Sequence, residues 1–96
     1  MRMIQQMQNR IQKMQEELGE TVVDGTAGGG MVTVQVSGLK EVLSVKIAPE
    51  AVDPDDLEML EDMIIAAIND AMQNAETLAS DKMSAITGGI KIPGLT

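Results

Sequence analysis

Apolar residues at Ile4, Met7, Ile11, Met14 and Leu18 step along the first eighteen positions by three and four in alternation. The spacing keeps them on one side of a helix and follows the period of a helix–helix seam, which predicts a helix over about 3–18. About two heptads are too few for a free-standing coiled coil, so the seam needs the rest of the domain to pack on. Gly19 is placed to end the helix. The pattern then changes period. A short strand is predicted over 20–24 around Val22 and Val23, followed by a flexible turn at Gly25-Thr26-Ala27-Gly28-Gly29-Gly30. In MVTVQVS the residues Val32, Val34 and Val36 share one face while Thr33, Gln35 and Ser37 share the other. A third strand follows over 42–47, with Leu43, Val45 and Ile47 as its apolar set. Short connections predict an antiparallel meander with one covered face.

Asp53-Pro54-Asp55-Asp56 reads as the start of a second helix, with Asp53 as N-cap, Pro54 at the first helical position and acids in the first turn. No Gly or Pro interrupts the chain from there to Ile86. One stripe carries Leu57, Leu60, Ile64, Ile68, Ala71, Ala75 and Leu78. Its bulky half is expected on the sheet, and Ala71, Ala75 and Ala79 are expected to let another helix approach. Residues 1–86 are thus expected to form one domain. The ending TGGIKIPGLT, with its glycines and proline, is expected to be a flexible tail over 87–96.

Composition narrows the function. The 96 residues contain no aromatic, Cys or His. Aliphatics and nine methionines must build the core, and a core this thin points to an obligate dimer. Met7 and Met14 read as core filler, whereas Met59, Met63 and Met83 are less clearly placed. Thiol nucleophiles, His-based acid–base pairs, Ser–His triads and the usual zinc sites are excluded. No export signal or membrane-spanning run is recognisable, so a cytoplasmic protein with no membrane partner is expected.

Two motifs invite a sharper reading and fail it. EAVDPDDLEMLED lacks the alternating acids and the glycine of a calcium loop, and GTAGGG lacks both a Lys-Ser/Thr pair and a following helix. A solvated helix start and a hairpin turn account for them.

Charge is unevenly spread. The net charge is −8, yet residues 1–49 balance five bases against five acids, and the first fifteen residues carry +3 through Arg2, Arg10 and Lys13. Residues 50–96 hold ten acids against Lys82 and Lys91. The polar side of the first helix, with Gln5, Gln6, Asn9, Arg10, Gln12 and Lys13, is either a solvated face or a phosphate-contacting one. The acidic Asp55, Asp56, Glu58, Glu61 and Asp62 support a rival reading, a protein–protein adaptor that steers a basic partner.

The stretches QNRIQKMQEEL, GTAGGGMVTVQVSG and LEMLEDMIIAAINDAM, with the TGGI-x-IPGL ending, cover nearly the whole chain in that order. Together they resemble the YbaB/EbfC family of bacterial nucleoid-associated proteins. The resemblance implies an α+β fold, helix–three-stranded antiparallel sheet–long helix, in a homodimer whose strands build the interface and whose helices project as arms. It further implies binding to double-stranded DNA with little sequence preference and a change in DNA conformation. A nucleoid location, no enzymatic activity and no cofactor follow from it as well. Carried onto this chain, the helical arms point to Arg2, Arg10 and Lys13, joined by Lys82 near the end of the second helix. Lys40 and Lys46 are expected to serve solubility or the dimer surface. Many relatives place bases where this chain has Thr33, Gln73 and Asn74, so micromolar rather than nanomolar binding is expected.

Overall fold

The computed structural model describes residues 2–86, and the tail expected over 87–96 lies outside the described residues. The described residues run α1 (Arg2–Glu20), β1 (Val22–Ala27), β2 (Val32–Ser37), β3 (Val42–Ile47), a 3-10 turn at Pro49–Ala51, and α2 (Leu57–Ile86). The three strands form one antiparallel sheet in the order β1-β2-β3. The predicted α+β arrangement is therefore present. The molecule is long and thin, 63 × 25 × 16 Å.

The covered part of the sheet is narrower than the meander pattern suggested. Val32, Val34 and Val36 are buried, and Ala67, Ala71 and Ala75 of α2 pack over them. The small residues of α2 thus meet the sheet, whereas the alanine stripe was expected to face a helix. Gly25 is the reason. It pairs with Val34 inside β1, and a Cβ there would run into the backbone of Ala67 and Ala71. Its missing side chain lets the helix backbone close onto the strand. The bulkier Leu60, Met63, Ile64 and Ile68 fill the flanks of this contact.

Strand β1 accordingly runs through Gly25 to Ala27, three residues beyond the predicted end. The turn shrinks to Gly28-Gly29-Gly30, whose φ values of +63°, +68° and +92° suit glycine. Polar side chains of α2 complete the outer edge of β1. Asp70 accepts the backbone N–H of Thr26 at 3.0 Å, and Asn74 donates to the carbonyl of Asp24 at 2.9 Å.

Helix α1 continues past Gly19 to Glu20. Its end is closed by Thr21, whose backbone N–H and hydroxyl both donate to the Glu17 carbonyl, at 3.0 and 2.7 Å. Gly38 N–H donates to the Leu18 carbonyl at 2.8 Å and ties α1 to β2. Only the C-terminal half of the seam is covered: Met14 and Leu18 are buried, whereas Ile4 is 63 % and Met7 49 % exposed. Among the described residues Met7 is therefore not core filler, because the described part of α2 does not extend over the first turns of α1. Of the other methionines, Met59 is exposed, and Met63 and Met83 are half-buried.

The start of α2 also differs from expectation. Asp53 and Pro54 belong to a β-turn closed by Asp56 N–H donating to the Asp53 carbonyl at 3.0 Å. The N-cap is Asp56, whose Oδ1 accepts the backbone N–H of Met59 at 3.2 Å.

Gly25→Ala is expected to lower stability by about 1–3 kcal/mol through overpacking. Asp56→Ala should cost about 1 kcal/mol by removing the cap, and more than Asp53→Ala. Urea midpoints at fixed protein concentration check both.

Candidate nucleic-acid interface

Helix α1 enters the sheet at its C-terminus and α2 leaves the sheet along it, so the two run side by side in opposite directions. Lys82 near the end of α2 lies level with Glu17, and its Nζ is 3.6 Å from Glu17 Oε2. Between the helices is an open groove of about 320 Å³ lined by Arg10, Lys13, Met14, Glu17, Lys82 and Ala85. Buried Met14 forms its apolar floor. Three of the four residues singled out from the sequence, Arg10, Lys13 and Lys82, therefore share one wall-to-wall site.

Helical phase explains why. At about 100° per residue, Arg10, Glu17, Gln6, Lys13 and Arg2 fall within an arc of about 80° on one flank of the seam. Arg2 is exposed and lies outside the groove, about 12 Å further along α1 than Arg10. The flank is thus a basic strip continuing from the groove to the tip of α1. On the same count Gln5, Asn9 and Gln12 occupy the neighbouring arc of about 60°, so the polar face is continuous, with the bases on the part of it nearer the groove.

Neither Arg2, Arg10 nor Lys13 has an acidic partner within 4.0 Å among the described residues. Lys40, by contrast, is 4.0 Å from Glu76 beside the sheet. Sequence reasoning missed Glu17, the one acid among the described residues lining the groove. Its signal was available, since Glu17 stands seven positions after Arg10 and therefore on the same side of the helix.

The acids gather at the opposite end. Asp53, Asp55, Asp56, Glu58, Glu61 and Asp62 are all exposed where α2 begins. A second, shallow cleft on α2, lined by Gln73, Glu76, Thr77, Ser80 and Asp81, holds no base among the described residues. No group of three or more Asp or Glu among the described residues could hold a metal ion, and no helix among them is long and apolar enough to cross a membrane.

The arrangement can do one thing well. Arg and Lys cations over an apolar floor, open to solvent, can accept phosphates without reading base edges.

The sequence model of the YbaB/EbfC DNA-binding family matches residues 1–90. A nucleoid-associated protein of Chloroflexus aurantiacus is 56% identical over 91 residues, covering 95% of this chain and 91% of that one. A nucleoid-associated protein of Alkaliphilus metalliredigens is 53% identical over 95 residues, 99% of this chain and 83% of that one. Among solved structures, an uncharacterized protein from Helicobacter pylori shares the fold with a TM-score of 0.78 at 23% identity, covering 90% of each chain.

Proposed function

Because this chain belongs to the YbaB/EbfC DNA-binding family, we propose that it is a nucleoid protein that binds duplex DNA as a homodimer. The observation that carries this reading is the convergence of Arg10, Lys13 and Lys82 on the α1–α2 groove, with Arg2 extending the same flank. Contact is to backbone phosphates, because no helix among the described residues presents a set of base-reading side chains. Two subunits offering Arg2, Arg10 and Lys13 neutralise about 6 phosphates, which corresponds to a log–log salt slope near −5. Bases at the arms and acids at the sheet end orient the dimer so that its arms lie on the duplex. Engaging DNA at two separated arms bends or bridges it, which alters its conformation. The relatives' name supports a nucleoid location.

Strand β3 supports the homodimer. Val45 and Ile47 stand opposite buried Val34 and Val32 and so share the core face of the sheet. They are nevertheless 42 % and 39 % exposed, because α2 lies over β1 and β2. Leu43 beside them is exposed too. β3 is also an edge strand, with β2 as its single neighbour. A bare apolar face joined to an open backbone edge fits a second copy of the same strand.

A second reading keeps a protein partner at the acidic end of α2. It rests on Leu57, Met59 and Ile65, which stay exposed among Glu58, Glu61 and Asp62. A basic, partly apolar segment would fit there.

Gel-shift titration against a random duplex tests the first reading. Binding at ~50 mM salt is expected to weaken about a thousandfold at ~200 mM. Arg10→Glu combined with Lys13→Glu should abolish the shift while leaving the circular dichroism spectrum unchanged. An unaffected double variant means that DNA uses another surface, and no shift by the wild type at either salt transfers the weight to the acidic helix. Val45→Asp should convert the dimer into a monomer in analytical ultracentrifugation, and a dimer that survives it is built elsewhere.

A further inference from the structure

The groove holds three cations, but they are not equally available. Arg10 and Lys13 face solvent with no acidic partner within 4.0 Å among the described residues. Lys82 is 34 % exposed and its ammonium is already 3.6 Å from Glu17, a side chain that is itself 53 % exposed. A carboxylate beside an ammonium at a groove wall occupies the place that a phosphate oxygen would take.

We infer that Glu17 is an internal phosphate mimic, an autoinhibitory latch that withholds Lys82 from the nucleic acid and sets the number of phosphates each subunit engages. The inference rests on the DNA reading above and adds to it a residue that weakens binding. Two physical points carry it. The pair is half-exposed and therefore weak, so it acts as a competitor for phosphate and not as a structural tie. Its removal is structurally silent as well, because the Thr21 bonds that close α1 use the Glu17 backbone carbonyl, which a change of side chain leaves in place.

A phosphate entering the groove beside Arg10 and Lys13 has to displace the Glu17 carboxylate before it reaches Lys82. In the free protein Lys82 is therefore a reserve contact, engaged only where phosphate concentration is high enough to win the exchange. Substituting Glu17 transfers that contact to the working set.

A double-mutant cycle with a charge-matched control reads this directly. The probe is a random duplex, titrated against full-length wild type, Glu17→Gln, Lys82→Gln, the double variant and Glu16→Gln. The control removes the same charge from α1 at an exposed position that does not line the groove. Glu17→Gln is expected to bind about tenfold more tightly at ~50 mM salt, with the salt slope steepened by about 2 for the two contacts released per dimer. Lys82→Gln alone is expected to leave affinity nearly unchanged, and in the double variant it should cancel the gain. Wild-type binding matched by Glu17→Gln, or a gain in Glu16→Gln equal to that in Glu17→Gln, overturns the latch and leaves the DNA reading standing. Loss of affinity in Lys82→Gln to the extent seen with Arg10→Glu also overturns it, since Lys82 would then be engaged from the start. No shift by any of the five proteins overturns the DNA reading and the latch together.

Discussion

The rest of the structure depends on the close approach of α2 to β1 at Gly25. A chain without aromatic rings has few large side chains with which to fill the space between a helix and a sheet. It closes that space instead, setting Ala67, Ala71 and Ala75 against valines and a bare strand backbone. Dispersion falls off steeply with separation, so narrow, close contact recovers in density what it lacks in bulk. The geometry has a cost in width. A helix seated this low over β1 and β2 cannot also shelter β3, and the apolar side chains of β3 stay in solvent.

Much of this was legible in the sequence, and the misses share a cause. Periodicity located both helices and all three strands, and the alternation of Val32, Val34 and Val36 assigned the buried face correctly. The errors fell where tertiary contact overrode local preference. Gly25 looks like part of a turn, yet it is a strand residue because a helix lies on it. Asp53 followed by Pro54 looks like a helix start, yet the β-turn they make delays the helix until Asp56 can cap it. Met7 has the phase of a core residue but no helix above it among the described residues. At the candidate interface, residue type pointed to Arg10, Lys13 and Lys82, and helical phase could have added Glu17. That Lys82 comes near them was not legible from local pattern, since it depends on how far α2 runs back along α1.

Charge and shape are arranged along one axis. The acids that dominate the net charge gather at the start of α2, beside the sheet, while the exposed bases of α1 lie along the projecting part of the molecule. An acidic protein can therefore present a locally basic surface, because the acids at the start of α2 lie at the other end of the molecule from Arg2, Arg10 and Lys13 and are screened from them by salt. Net charge alone would have ruled out the partner that the local distribution favours.

Finally, the two edges of the sheet differ in what they offer a neighbouring backbone. Asp70 and Asn74 already use outward groups of β1, while β3 has no such covering from α2. Were both edges open, the β3 of one copy could pair with the β1 of the next and the addition could repeat without limit. With one edge plugged, pairing through β3 has a valence of one. On the proposed pairing through β3, two copies would exhaust it, and the same helix that builds the core would set the size at which assembly stops.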